Sequence, residues 1–171
     1  LEAQMAVFGS GTVDRTGEGN EGAETGMNVD VGGGTAKIAI AQRGAIIDTA
    51  AMNVGARLVV FDEHGCIVKT EEAGRIIAGD MGVELKVGQV IGQETKRGIS
   101  QRLADSLFNI LSRQPLNSLT QKLMITSPLS YAGKIDFMTF SGGVSEYVYN
   151  RESQVYGDLG PLLAEEIRQR A

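Results

Sequence analysis

An α/β fold, with helices packed on a central sheet, is predicted by three observations in this 171-residue sequence. Apolar side chains alternate on both sides of a three-glycine turn within 27–41, and the pattern resumes over 45–52, which predicts three antiparallel strands joined by tight turns. Ile99, Leu103, Leu107, Ile110 and Leu111 recur at three- and four-residue steps, the period of a helix with one buried face. A further strand over 135–140 then runs into Gly142-Gly143 and a helix start. Meandering strands, then helices, then a strand feeding a helix is the order of a layered α/β domain.

Taken in chain order, 1–8 is a short apolar segment that reads as the tail of a helix. Residues 9–26 are rich in Gly, Thr and Glu, with almost no large apolar side chain after Val13, and predict a mobile loop. The folded domain is therefore expected over 27–171, preceded by an N-terminal segment and flexible glycine-rich loop over 1–26. The third strand follows a turn at Gln42-Arg43-Gly44. Asn53-Val54-Gly55-Ala56-Arg57 then breaks the pattern, and its glycine either lets a second loop reach the ligand of the first or serves a plain turn. Residues 58–61 and 66–68 pair as a small hairpin across Glu63-His64-Gly65.

Thr70, Glu71 and Glu72 read as a helix start, with Ile76 and Ile77 turned inward and a stop near Gly79 or Gly82. The long amphipathic helix covers 93–112, with Pro115 just beyond it. Ser118-x-x-Gln121 resembles a capping box for a short helix through Met124. Gly160-Pro161 places proline at a first helical position ahead of Leu162 and Leu163.

Composition removes several function classes. The chain carries 16 basic and 21 acidic side chains, a net charge of −5, and no basic run longer than Lys96-Arg97, so nucleic acid is not an expected partner. Cys66 is the single cysteine, which excludes an intramolecular disulfide and favours a reducing interior; it reads as a small buried strand residue. His64, the single histidine, falls in a turn, so neither a zinc site nor a protease triad has its ligands. No apolar run is long enough to span a bilayer and no signal-peptide pattern opens the chain, which predicts a cytoplasmic protein without membrane contact. The sequence begins at Leu1, not Met, which suggests an excerpt of something longer.

The chemistry concentrates in Asp30-Val31-Gly32-Gly33-Gly34-Thr35. Three residues without Cβ bring backbone N–H groups within bonding distance of a bulky anion, for which phosphate is the natural candidate. A dinucleotide fingerprint or Walker loop requires a helix after the glycines, and here a strand follows; Lys37 is also misplaced for a Walker lysine. Asp30 so close to a polyphosphate implies an intervening Mg²⁺ that keeps part of its water shell. A glycine hairpin with Asp30 merely exposed at a strand end fits the same residues. Gly142 and Gly143 sit at the carboxyl end of a strand, where open α/β sheets bind ligands, and would let a base or ribose lie against bare backbone. A simple strand-to-helix connection is the alternative there.

Together these two motifs resemble the second phosphate motif and the adenosine motif of the superfamily containing actin, sugar kinases and the large heat-shock ATPases. Within it the sequence is similar to the ethanolamine ammonia-lyase reactivating factors of ethanolamine utilisation, through 28–36, 49–58, 141–146 and 158–164. The resemblance implies a ribonuclease-H-like, actin-like ATPase lobe: three antiparallel strands continued by parallel ones, with helices on both faces. It implies ATP and Mg²⁺ as cofactors, and a chaperone-like role in which damaged cobalamin leaves ethanolamine ammonia-lyase and adenosylcobalamin enters. The ammonia-lyase is the implied partner, with self-association and a bacterial microcompartment as further expectations.

By the same resemblance, Asp30 would orient the Mg²⁺ shell or attacking water. Gly32, Gly33, Gly34 and Thr35 would hold phosphate oxygens, and Gly142, Gly143 and Ser145 would border adenosine; Gly55 joins the candidate ligand-binding residues from its place in the loop alone. Two features depart from the pattern. The superfamily's first phosphate motif is absent before Met27, so the fragment alone is expected to be inactive while the longer protein is a weak ATPase. Glu146 stands where some relatives carry a cation that stacks on adenine. A small-molecule kinase with the same cleft, and a scaffold lobe that binds no nucleotide, are the competing functions.

Overall fold

A computed structural model of the chain describes residues 11–16 and 24–171. A short helix, α1 (Thr12–Thr16), precedes the strands β1 (Thr25–Val31), β2 (Ala36–Gln42) and β3 (Ala45–Met52). A 3₁₀ turn (Ala56–Leu58) leads into β4 (Val59–Phe61) and β5 (Ile67–Thr70), followed by α2 (Glu72–Asp80), α3 (Gln93–Leu111) and α4 (Ser118–Leu123). Strand β6 (Phe137–Ser141), α5 (Gly143–Val148) and α6 (Gly160–Arg170) complete the order.

The central sheet is mixed, with strand order β3-β2-β1-β6. The first three strands form the expected antiparallel meander, and β6 pairs with β1 in parallel on its other side. Strands β4 and β5 form a separate antiparallel pair. Alternation decides what each face of the sheet carries. Met27, Val29 and Val31 of β1 and Ile38 and Ile40 of β2 are buried in one cluster with Leu103 and Leu107 of α3 and Leu163 and Ile167 of α6. Each such side chain contributes about 1.5–3 kcal/mol when fully buried. On the opposite face Ala39 and Ala41 pack with Val13 of α1 and with Ile46. Helices therefore cover both faces, one thickly and one with a single short turn.

That short turn corrects the expectation of a loop through Gly26. Thr12 and Thr16 are buried, and their hydroxyls are satisfied: Thr12 Oγ1 shares a 2.8 Å hydrogen bond with Thr139 Oγ1, while Thr16 donates to Val13 O at 2.7 Å and accepts from Gly44 N at 3.0 Å. Small polar residues can be buried when a sheet supplies their partners, a possibility that hydrophobic patterning does not register. Thr25 and Gly26 already belong to β1. The expectations for 1–8 and for the rest of the glycine-rich stretch lie outside the described residues.

Other differences are local. The α4 cap is Asn117, not Ser118: its side chain accepts from Thr120 N at 2.8 Å. Thr70 ends β5, Glu71 holds the cap position of α2, and only Ile77 is fully inside while Ile76 is half-buried. Cys66 is half-buried and bridges to Val90 in place of a fully buried strand position. Helix α3 stops at Leu111, with Arg113 at positive φ (56°) before Pro115.

Candidate functional site: two glycine turns at one end of the sheet

In the parallel pairing of β1 with β6, Asp30 lies opposite Ser141. Both glycine turns consequently leave from the carboxyl ends of adjacent parallel strands, where an α/β sheet offers its crevice. The first turn is closed by Gly32 N donating to Thr35 O at 3.0 Å. Gly33 and Gly34 are exposed, and their N–H groups find no backbone acceptor among the described residues.

The 53–57 loop reaches this turn itself. Ala56 N donates to Gly32 O at 3.1 Å and Arg57 N to Gly33 O at 2.5 Å. A Cβ on Gly55 would stand 2.5 Å from Gly33 O and 2.7 Å from Gly34 N, so only glycine permits this backbone contact. Gly55 is thus buried behind the turn, bracing it. Gly142 adopts φ 83°, and a Cβ there would overlap Asp30 Oδ1 and lie 2.5 Å from Val31 O. The Asp30 carboxylate therefore rests against the second turn, and the two turns meet. Ser145 is buried and donates its hydroxyl to Gly142 O at 2.6 Å, tying the Gly-Gly turn to the first turn of α5.

Two cavities flank the junction. The smaller, about 280 Å³, has Gly32 and Gly33 on one side and Gly143, Val144 and Tyr147 on the other. The larger, about 590 Å³, is bordered by Gly33, Gly34, Thr35, Asn53 and Lys122. Arg57 lines both. Asp30, Gly55, Gly142 and Ser145 are not among the lining residues of either: Gly55 and Ser145 are buried, while Asp30 is half-buried and Gly142 exposed at the junction between the turns. Arg57, Lys122 and Tyr147 belong to no motif legible in the sequence; the one signal is Arg57, two residues after Gly55 in a loop that either reaches the ligand or is a plain turn.

Charge is divided unevenly. Glu146, Glu152 and Asp158 line the smaller cavity. Asp158 accepts from Gly160 N at 2.8 Å, ahead of α6. The backbone N–H of Gln154, then the Tyr156 hydroxyl and the N–H of Ser153, hold the Glu152 carboxyl below its usual range. Tyr147 donates to Gln154 O at 2.6 Å, and its own ionisation is pushed up by burial first and then by the Asp158 and Glu152 charges. No group of three or more His, Cys, Asp or Glu able to hold a metal exists among the described residues. A divalent cation here would draw on the Asp30 carboxylate, water and the ligand's own oxygens, a donor set that suits Mg²⁺.

A mixed α/β sheet whose adjacent parallel strands each end in a glycine turn over a cleft is the class that fold and site define. The sequence profile of the family described as ethanolamine utilisation protein EutA matches residues 1–171, and the chain belongs to that family. It is 33% identical over 141 residues to the ethanolamine ammonia-lyase reactivase EutA of Escherichia coli (strain K12), covering 81% of this chain and 30% of the relative. It is 31% identical over 140 residues to the protein of the same name from Salmonella typhimurium (strain LT2), with 81% and 30% covered. The chain thus matches less than a third of the length of these curated relatives. No solved structure matches it. Among the described residues no helix is long and apolar enough to cross a membrane.

Proposed function

We propose that this chain is the nucleotide-binding lobe, ribonuclease-H-like and of the actin-like ATPase type, of a reactivating factor for ethanolamine ammonia-lyase. The observation that carries the reading is the convergence of the two glycine turns, with Asp30 between them, at the ends of adjacent parallel strands. The lobe comprises 27–171, extended by Thr25, Gly26 and α1. The relatives' name points to ethanolamine ammonia-lyase as the partner. In this reading the factor loosens that enzyme so that damaged cobalamin leaves and adenosylcobalamin rebinds.

The residues present fit the nucleotide. A Cβ at Gly34 or Gly143 would meet nothing within 4 Å, so space is open beside both turns, and the N–H groups of Gly33 and Gly34, without a backbone acceptor among the described residues, suit phosphate oxygens. Gly32, Gly33, Gly34 and Thr35 hold the phosphates in this reading, and Asp30 orients water on a bound Mg²⁺. Gly143 borders the nucleoside, with Gly142 and Ser145 shaping that wall and Gly55 fixing the turn. Hydrolysis of bound Mg-ATP supplies the free energy for loosening the partner.

The test is Mg²⁺-dependent ATP hydrolysis by the full gene product that carries this sequence. Asp30→Ala should lower turnover by at least about tenfold, the scale expected when a group that organises transition-state charge is removed. Unchanged hydrolysis defeats the assignment. The three carboxylates of the smaller cavity favour a second reading, a scaffold lobe that binds no nucleotide; titration of Mg-ATP without heat or saturation would establish it.

A further inference from the structure

The two cavities differ in the charge they leave unmatched, and that difference gives an anionic ligand a direction. Arg57 stands in their common wall with its stem laid on the glycine turn: a Cβ on Gly33 would lie 3.3 Å from Arg57 Cδ and 3.4 Å from Cγ. Its backbone N–H is bonded to Gly33 O, so the side chain stays with the turn. Among the described residues the guanidinium has neither an ion pair nor a hydrogen bond, although five donors in a planar fork are the natural complement of a phosphate.

Lys122, in the last turn of α4, is equally unpaired among the described residues and lines the larger cavity near Thr35 and Asn53. The carboxylates of that cavity are already matched, Glu71 to Lys69 at 2.7 Å and Glu72 to Arg75 at 2.8 Å. The smaller cavity is the reverse in charge: Glu146, Glu152 and Asp158 line it with Val144 and Tyr147, and among the described residues none of the three carboxylates has a cationic partner. Carboxylates accept from hydroxyl and N–H groups and repel phosphate.

We propose that Arg57 is the phosphate-binding side chain at the junction and that the larger cavity receives the terminal phosphates of the ligand, with Lys122 as its second cation. The head of the ligand lies in the smaller cavity, its hydroxyls directed to the carboxylates. The position of the head rests on the nucleotide reading above; the anion site on Arg57 and Lys122 does not.

Binding of ATP, ADP, adenosine and inorganic tripolyphosphate to the full gene product distinguishes the two. Arg57→Met keeps an apolar stem over Gly33 and removes the charge. It should weaken ATP and tripolyphosphate by about ten- to hundredfold, as expected for losing hydrogen bonds to a charged group, and leave adenosine unchanged. Lys122→Met, on an exposed helix turn, should weaken ATP more than ADP, and it carries the test if Arg57→Met fails to fold. ATP affinity unchanged in both variants overturns the inference, as does an equal loss for ATP and adenosine. Wild-type protein that binds tripolyphosphate as tightly as ATP, with the arginine dependence intact, supports the anion site and removes the nucleotide. Wild-type protein that binds neither overturns both proposals.

Discussion

Gly55 and Gly33 touch through bare backbone, and the contact makes the first glycine turn sensitive to a buried residue that lines neither cavity. A Cβ at Gly55 would lie 2.5 Å from Gly33 O and 2.6 Å from Gly33 C, atoms that cannot swing aside as a side chain can. Gly55→Ala is therefore expected to destabilise the protein by about 1–3 kcal/mol through overpacking, read as a lower midpoint in urea. Gly34→Ala, whose Cβ meets nothing within 4 Å, is the contrasting substitution and should shift stability by no more than about 0.5 kcal/mol. The sequence leaves Gly55 open between a loop that reaches a ligand and a plain turn; the structure lays its backbone on Gly33. That distinction depends on which backbone folds back on which, and glycine spacing carries no record of it.

At the scale of elements, caps and loops hold the site's surroundings in place. Asn117→Ala should cost about 1 kcal/mol by orphaning the N–H of Thr120, while Ser118→Ala should be near neutral; thermal melting of the pair discriminates the observed cap from the one that Ser118-x-x-Gln121 implied. Both residues are good caps by type, and only the entry angle of the chain selects between them. The 149–156 connection beside the smaller cavity is organised by Glu152, which accepts from Ser153 N at 2.7 Å, Gln154 N at 2.8 Å and Tyr156 Oη at 2.8 Å. Because these bonds lower its pKa below the ordinary carboxylate value, their contribution is complete above that value and is lost as pH falls through the lowered one. Amide resonances of Ser153 and Gln154 should therefore move together on acidification, at a pH below that of an ordinary glutamate, and Glu152→Gln should abolish the joint titration.

In the whole molecule, α3 and α6 share a core cluster with β1 and β2, so burial beneath the sheet and support of the glycine turns are one property. Leu107, fully buried in α3, lines neither cavity; Leu107→Ala is expected to cost about 2–5 kcal/mol, measured by denaturant unfolding, through the void it leaves. The thinner face depends on Thr12, Asn28, Thr139 and Ser141, which bond to one another across α1, β1 and β6: Asn28 Nδ2 donates to Thr139 Oγ1 at 3.0 Å and Ser141 Oγ to Asn28 Oδ1 at 3.1 Å. This polar layer is not legible in the sequence because its members are not apolar and their partners are distant in the chain.

The amino-acid order alone determined the meander over 27–52, the long helix, the glycine turns and the family resemblance, because side-chain period and turn chemistry act between near neighbours. Only the tertiary structure decided that β6 runs parallel beside β1, that Asp30 rests on Gly142, and that Arg57 joins two cavities of opposite character. Those relations come from packing between segments far apart in sequence, where no local preference distinguishes one partner from another.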